Sequence, residues 1–405
     1  MDIVIIADFC RTFDGQVNNR FLYIANELTK KGETVEVVSS DFNHGTKSFF
    51  ESRPTCYDFN ITLLHEPYYP TNVCLKRFYS HFIWGLNVLK YLRKRKKPDV
   101  IYCAIPTLAA SYVAAKYCEK NNIKFIIDIQ DLWPEAYKMV FNIPVLSDII
   151  FSPFTFLANG IYKRADEIVA VSQTYVDRAL RVNKKLKEGH SVFLGTNLSD
   201  FDKNVKNNPI DENFPIKIPQ KTADELWLAY CGTLGASYDL ACVFDALEIM
   251  KNKGVLPPKF IIMGDGPRKK EFEKYAESKQ LDVFFSGRLS YPQMCSLLCY
   301  CDITVNPITK GAAQSIINKH ADYAASGLPI INTQECNEYR DLVEIYKMGF
   351  NCENSNAQQL ADNLIGLLSN RNLRLLMGKN ARKCAKEKFD RKHSYQKIFY
   401  LLENK

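Results

Sequence analysis

Short runs of branched aliphatic residues recur along this chain. Each hands over to a polar or glycine-bearing loop and then to an amphipathic stretch. "IVIIA" near the start, "TVEVVSS", "VIYCA" at 100–104, "KFIIDI" at 124–129 and "EIVAVS" at 167–172 all have this form. Runs so continuously apolar suit parallel strands covered on both faces. The first amphipathic stretch predicts a helix from about Val17 to Lys31, stopped by Gly32. The alternation is the β-α-β rhythm of a doubly wound sheet. From about Gly189 to Leu226 the text turns polar and turn-rich, and then the rhythm restarts. "LWLAYCG", a helix from about Leu240, "KFIIMGDG", a charged helix, "DVFFSG", "DITVNP" and "LPIIN" follow in order.

The fold class is therefore α/β, with two Rossmann-like doubly wound units in tandem. A chain of 405 residues is also too long for one ordinary core. The expected division is 1–200, a linker over 201–225, and 226–385, with a C-terminal helix at about 386–405 that can pack back on the first domain. Ligands of such sheets sit at the carboxyl ends of strands, and with two facing domains the cleft between them is the default site.

Apolar residues make up 46% and charged residues 24%, which is ordinary globular composition. The net charge of +8 is concentrated: Cys74 to Lys97 holds eight Lys or Arg and no acid. That bias points to an anionic partner. The thirteen cysteines show no disulfide framework, so reduced thiols and a cytosolic location are expected. Cys295, Cys299 and Cys301 lie close together without a histidine, in an apolar segment that reads as a buried helix-to-strand passage. "MDIVIIADF" does not read as a signal peptide, and no run is long enough to span a membrane.

Residues 315–332, "SIINKHADYAASGLPIIN", pose a sharper question. A helix should begin near Ser315 or Ile316 and end at Gly327, with Lys319 and Asp322 three apart on one face. This is either a surface ion pair worth little or a grip on a ligand with phosphate at one end and hydroxyls at the next. Three other strand-end loops bear on the choice. "YCGTLGASYD" puts Gly232, Thr233 and Gly235 just after a strand, where backbone N–H groups can meet phosphate or simply make a tight turn. "IIMGDGPRKKEF" supplies Gly264 before a helix, and "FFSGRLSY" supplies Arg288. Each is weak alone; in this order, each after a strand, they are specific.

The second half resembles the donor-binding domain of family 4 glycosyltransferases of the GT-B fold, through "GTLG", "GDGPRKKEFEKYA", "FSGRLSYPQMCSLLCYCDITVNPI" and "NKHADYAASGLPIIN". The first half agrees through "PDVIYCAIPTLAASYVAAKYCEKNNIKFIIDIQDLWPEA" and "ADEIVAVSQTYVDRAL". Its Asp-Leu-Trp-Pro-Glu stretch is similar to that of transferases building bacterial capsular or O-antigen repeat units. The resemblance implies a retaining enzyme that moves a sugar from a nucleotide donor, UDP-linked, to a lipid-carried glycan. The enzyme would be cytoplasmic and peripheral on the inner face of the plasma membrane. It implies donor contacts from Gly15, Gly232, Thr233, Gly235, Gly264, Arg288, Asn318, Lys319 and Asp322, with Lys319 at the phosphates and Asp322 at the ribose. The family's two glutamates seven residues apart are Gln314 and Asp322 here. The cations that often follow "GTLG" are replaced by Ala236-Ser237-Tyr238-Asp239, so Lys319 and Arg288 are the residues left to meet phosphate.

In the first half, Asp131 and Glu135 follow the fourth strand, where one of them can orient or deprotonate an acceptor hydroxyl. A helix N-terminus with favourable acids is the plainer reading. His44 and Lys47 follow the second strand, either as surface polarity or as a site for an acceptor's pyrophosphate. In residues 74–97, Phe78, Tyr79, Phe82, Ile83 and Trp84 mix with the cations, among them Arg93, Lys94, Arg95, Lys96 and Lys97. That is either a core helix with a solvated basic end or a docking face for anionic lipid. Nucleic acid is not expected, because no recognition module appears. No cofactor or metal is expected either, since the D-x-D at Asp200-Phe201-Asp202 falls in the linker and the family needs none. Two other readings remain open: a GT-B nucleotide-sugar epimerase, told apart by product analysis without acceptor, and a non-catalytic nucleotide-sugar-binding scaffold, which would bind donor without turnover.

Overall fold

In a computed structural model, residues 1–10, 18–50, 57–72, 74–140, 146–312 and 316–404 are described, with only the backbone at 138–140 and 146. The chain divides into two compact units, one of Met1–Phe193 with Tyr395–Lys405, the other of Leu194–Ser394.

The first unit is built on a seven-stranded sheet in the order β3-β2-β1-β4-β5-β6-β7. Its strands are β1 Asp2–Ile6, β2 Thr34–Ser40, β3 Asn60–Leu64, β4 Val100–Ile105, β5 Lys124–Ile129, β6 Glu167–Ala170 and β7 His190–Ser191. All neighbours run parallel, and β1 opposes Val35 on one side and Val100 on the other with Ile3. Ile3, Val4, Ile5 and the middles of β4 and β5 are fully buried, as continuous branched runs between two helical layers require. Helix α1, Arg20–Lys30, starts later than the sequence suggests, because the Asn19 side chain caps it by accepting from the N–H groups of Phe21 and Leu22. Helices α2 Leu75–Lys94, α3 Leu108–Asn121 and α4 Ser152–Arg164 complete the frame used below.

The chain end belongs to this unit. Asp128 of β5 accepts from Arg20 (2.7 Å) and from the Tyr102 hydroxyl (2.7 Å), and Arg20 also donates to the Tyr395 hydroxyl (3.1 Å). A buried charge pair with these extra hydrogen bonds fixes where Tyr395 sits more than it adds stability. Ile398, Phe399, Leu401 and Leu402 then join the core of the first sheet.

The second unit repeats the order. Strands β8 Trp227–Cys231, β9 Lys259–Met263, β10 Val283–Gly287, β11 Ile303–Asn306, β12 Ile330–Asn332 and β13 Gly349–Asn351 pair as β10-β9-β8-β11-β12-β13, all parallel. In each unit the order reverses beside the first strand of its own sheet, and ligands of open α/β sheets bind at such a switch point.

One expectation is corrected here. The segment read as an irregular linker over 201–225 begins inside a helix, α5 Leu198–Asn207, capped by Asn197 and anchored by buried Phe201. The correction reaches only residues 201–207; from 208 to 226 the chain runs through turns and bends with neither helix nor strand, as its turn-rich composition suggests.

Candidate functional site

At the switch point of the second unit, Gly232 follows β8 and Gly264 follows β9. Both have positive φ, 147° and 159°. A Cβ on Gly264 would collide with the Gly232 carbonyl, so only glycine lets the two loops approach this closely. Leu234 N–H donates to Asp265 O (2.9 Å) and Arg268 N–H to Leu234 O (3.0 Å), locking the loops together. Gly232 N–H is already taken by Met263 O (2.9 Å), so the picture of a loop with freely available N–H groups is corrected in part. Thr233 is exposed and its carbonyl accepts from the Tyr230 hydroxyl (2.8 Å).

Helix α6, Asn318–Ser326, lies against these loops. It ends on Gly327 in the left-handed conformation, and it starts at Asn318 rather than Ser315 or Ile316. His320 secures that start. Its Nδ1 accepts from Ile317 N–H (3.1 Å), its Nε2 lies 3.0 Å from the Asn306 amide, and its ring stacks on Tyr339 at 3.7 Å.

Lys319 and Asp322 are both buried, so the reading of a surface ion pair fails. They do not bond to each other. A Cβ on Gly232 would stand 2.9 Å from Lys319 Nζ, which places the ammonium directly over the β8 loop. Lys319 Nζ has no hydrogen-bond partner among the described residues and rests on the rings of Tyr238 (3.8 Å) and Tyr230 (4.4 Å). Burial without a carboxylate pulls its pKa down to about 7. Asp322 accepts from the Tyr291 hydroxyl (2.7 Å), which lies 2.8 Å from the Thr196 hydroxyl. Burial raises its pKa to about 6, against the pull of that hydrogen bond and of the Arg391 charge. Asn318 and Arg288 are exposed, and Gly235 lies in the same loop as Thr233. Gly15 and Gln314 lie outside the described residues.

The first unit gathers a second cluster, also at strand carboxyl ends. Asp8 follows β1 and Glu66 follows β3, while Arg77 and His81 come from the first turns of α2. His81 Nδ1 is 3.3 Å from Asp8 and 3.9 Å from Glu66. Arg77 Nε donates to His81 Nε2 (3.1 Å), and its guanidinium covers the Trp133 ring at 4.7 Å. Thr107 donates to Asp8 (2.9 Å) and Ser80 to Glu66 (2.9 Å). Burial raises Asp8 to about 6. Burial and then the Asp8 charge raise Glu66 to about 8, and burial lowers His81 to about 4. Both carboxyls are thus held above the usual range, Glu66 further than Asp8, so the pair keeps a proton at a pH where free carboxylates have lost theirs.

The expected catalytic residues surround this cluster. Asp131 accepts from Trp133 Nε1 (3.1 Å) and Leu132 N–H (3.0 Å), and burial raises its pKa. His44 Nδ1 lies 2.6 Å from the Tyr69 hydroxyl and 3.2 Å from Lys47 Nζ. Lys47 donates to Asn72 (2.7 Å), and burial followed by the Arg77 charge lowers its pKa to about 8. His44 and Lys47 sit in the turn of a small antiparallel hairpin, Phe42–Asn43 with Ser48–Phe49. Glu135 is drawn away: its Oε1 accepts from Arg178 at 2.5 Å. Its Oε2 has no hydrogen-bond partner among the described residues, and Glu135 opens a short helix, Glu135–Val140, as the plainer reading of an acid at a helix N-terminus has it.

Two family descriptions divide the chain between them: Glycosyltransferase Family 4 matches residues 17–188 and Glycosyl transferases group 1 matches 212–384. The chain belongs to glycosyltransferase family 4. Its GT-B fold is that of solved relatives. A structure of Anabaena HepE in complex with UDP aligns over 100% of both chains with a TM-score of 0.70 at 15% identity. WaaG, a glycosyltransferase involved in lipopolysaccharide biosynthesis, aligns over 97% of this chain and 98% of its own, with a TM-score of 0.67 at 14% identity. At such identities the likeness is one of fold. An uncharacterized glycosyltransferase of Methanocaldococcus jannaschii is 24% identical over 255 residues. The matched region is 60% of either chain, so this chain spans less than two thirds of that relative's length.

Within this family 4 chain, Asp8, Glu66 and His81 are the one group of possible metal ligands among the described residues, with ligand atoms within 4.8 Å of one another. The hydrogen bond from Arg77 argues against a metal. It makes His81 Nε2 an acceptor, so the ring proton sits on Nδ1, facing the carboxylates. A metal on Nδ1 would push that proton to Nε2, against the Arg77 N–H. Ligating histidines need an acceptor at the second nitrogen, and here it meets a donor.

Two cations counted as available to lipid are not. Arg95 pairs with Asp2 (2.9 Å) and Glu36 (3.2 Å), and Arg77 is buried in the cluster. Arg93, Lys94, Lys96 and Lys97 are exposed. Of the cluster, Asp8 was findable as the first charge after "IVIIA". Glu66 carried no signal, because its strand went unrecognised.

Proposed function

We propose that this glycosyltransferase moves a hexosyl or N-acetylhexosaminyl group from a UDP-linked donor to a lipid-linked glycan, with retention of configuration, in bacterial surface polysaccharide synthesis. The observation that carries the donor reading is Lys319: a buried ammonium, unbonded among the described residues, held over a glycine loop at the switch point of the second unit. An anionic diphosphate supplies what that ammonium lacks. Charge developing on the leaving diphosphate would strengthen the contact, which is how a fixed cation lowers the barrier. Asp322, its acceptor capacity only partly used by Tyr291, suits two ribose hydroxyls. Anabaena HepE, seen with UDP and with UDP-glucose, supports the choice of uridine, and WaaG supports the polysaccharide setting.

On the acceptor side, Asp131 is the carboxylate left at a strand end after Glu135 pairs with Arg178. It can hold or orient the attacking hydroxyl, while His44 and Lys47 suit the phosphate of a lipid carrier. Peripheral membrane association follows from such an acceptor. No helix among the described residues is long and apolar enough to cross a membrane.

The test is a thermal-shift screen of nucleotide sugars followed by calorimetry with Lys319→Ala. A uridine donor should stabilise the wild type, and the variant should lose more affinity for UDP than for uridine. Equal losses would make Lys319 structural and remove the support for the donor site.

A further inference from the structure

The ends of α2 and α3 farthest from the Asp8 cluster enclose a cavity of about 630 Å³ that the donor and acceptor readings leave unused. Its size is that of a small-molecule site. Arg95 in its lining bonds to Asp2 at the start of β1, and Asn121 on its rim closes α3 just before β5. The cavity therefore lies at the amino ends of the strands, away from the carboxyl ends where the clusters described above are found. Sixteen residues of α2 separate Arg93 from Arg77, about 24 Å along the helix axis.

Four cations line this hollow without an ion pair among the described residues. Arg93 is in the last turn of α2, Lys97 stands just beyond it, and Lys116 and Lys120 come from α3. Lys116 and Lys120 are one helical turn apart and share a face. Arg95 differs, because Asp2 and Glu36 behind it already meet its charge, at 2.9 and 3.2 Å. Glu119 is the acid of the lining, and Arg164 of α4 draws it off at 2.7 Å. Four like charges thus converge on one hollow with no carboxylate to meet them, and they repel one another until an anion fills it.

The rest of the wall is apolar and aromatic. Leu89 and Val113 contribute aliphatic surface, and Tyr117 a ring whose hydroxyl has no hydrogen-bond partner among the described residues. A bilayer presents its phosphates in a plane and suits a flat or convex basic face. A nucleic-acid strand spreads its phosphates over a length that one hollow cannot hold. A nucleoside polyphosphate concentrates several charges on adjacent phosphates and ends in a flat ring, so it meets both the cations and the wall.

We propose that the hollow between the ends of α2 and α3 binds a nucleoside polyphosphate, its phosphates at Arg93, Lys97, Lys116 and Lys120 and its base against Tyr117. This site is separate from the donor loops at Lys319 and does not depend on the donor reading.

The experiment is calorimetry of the whole protein with ATP, tripolyphosphate and adenosine, at low and high salt. ATP should bind, tripolyphosphate should displace it, and adenosine should not. High salt should weaken the binding steeply, since all four cations are exposed. Lys116→Glu with Lys120→Glu should cut ATP affinity about tenfold or more, and leave affinity for a UDP-sugar unchanged. The milder pair, Lys116→Gln with Lys120→Gln, should lose part of the affinity at an unaltered melting temperature. Lys319→Met should leave ATP binding intact. An azido-ATP photoprobe should label a peptide within residues 89–121. ATP binding that survives the lysine variants and disappears in Lys319→Met would put the nucleotide at the donor site and overturn the proposal. Absence of ATP binding at low salt, or a label confined to other residues, overturns it too. Phosphatidylglycerol vesicles held through Lys116 and Lys120 by a protein that ignores ATP would give the hollow to lipid and end the proposal as well. A protein that binds no UDP-sugar, yet loses ATP in the lysine variants, keeps this site and refutes the donor reading.

Discussion

The Lys319 ammonium lies 3.8 Å from the centre of the Tyr238 ring and is bonded to no carboxylate among the described residues. A ring face offers a buried cation part of what water would, but less than an anion does. The pKa near 7 records that deficit. Binding of a diphosphate should restore the full charge, so proton uptake and donor binding are linked. Affinity for a UDP-sugar should fall as pH rises above 7, by up to about tenfold per unit. Titration calorimetry in buffers of different ionisation enthalpy should show about half a proton taken up at pH 7 and nearly one at pH 8. Lys319→Met should bind weakly and flatten the profile. A wild-type affinity independent of pH from 7 to 9 would mean that the phosphates are met elsewhere.

Asp322 is tied to Tyr291, so its removal has two effects that must be separated. Asp322→Ala should weaken a UDP-sugar and free UDP alike, by about 1.5–3 kcal/mol for a lost charged hydrogen bond. It should also lower stability, because the Tyr291 hydroxyl loses its acceptor. Tyr291→Phe reproduces the second effect without the first. Calorimetry should find near-normal affinity in Tyr291→Phe and a loss in Asp322→Ala. Equal losses would place the role of Asp322 in holding α6, not in the ribose.

The sheets were legible where strands are buried on both faces. "IVIIA", "KFIIDI" and "KFIIMGDG" have no polar face to show, and they became β1, β5 and β9. The edges were not legible. β3, "NITLL", is half-buried after an exposed Asn60 and carries no continuous branched run. Missing β3 meant missing Glu66 beyond it, and with it the reason why Arg77 and His81 point inward. Helix spacing alone cannot say which side of "CLKRFYSHFIW" meets the core, since cations and aromatics occur on both. On the donor side the motif order was enough to bring Gly232, Gly264 and Lys319 together. The isolation of Lys319 from Asp322 was not legible: three residues apart on a helix they share a face, yet Tyr238 and Tyr291 draw them to different neighbours.

Glu66 offers a test of the strand-end cluster that needs no substrate. Its carboxyl sits near 8 in the folded protein against 4.5 for an unperturbed glutamate. Between those values the folded state holds a proton that the unfolded state has released. Folding stability should therefore fall as pH rises through that window, by up to about 1.4 kcal/mol per unit for this one group. From about pH 7.5 to 8.5, His81 is almost wholly neutral and Asp8 almost wholly ionised in both states, so Glu66 is the cluster's remaining titrating member. Glu66→Gln keeps the donor that faces Asp8 and cannot ionise. Urea denaturation across this range should show the variant gaining on wild type as pH rises. Parallel curves would mean that Glu66 is ionised in the folded protein and that the shared proton is absent.

Metal dependence gives the last prediction. The diphosphate of a nucleotide sugar needs a counter-charge, and glycosyl transfer meets that need with a bound cation or with side chains. In the donor reading proposed above, Lys319 supplies that counter-charge in the second unit. The D-x-D at 200–202 cannot substitute, because it lies along α5, where Asp202 bonds to Arg382 at 2.5 Å. In the first unit, the tautomer that Arg77 imposes on His81 turns a proton toward the carboxylates where a ligand lone pair would be required. Turnover of a UDP-sugar should therefore continue undiminished in excess EDTA. Magnesium, manganese and zinc should each leave the melting temperature of the free protein unchanged. Loss of activity in EDTA, restored by one of these ions, would place a metal at the phosphates and demote Lys319. A melting temperature raised by zinc in wild type and not in His81→Gln would instead show that the Asp8 cluster takes a metal after all.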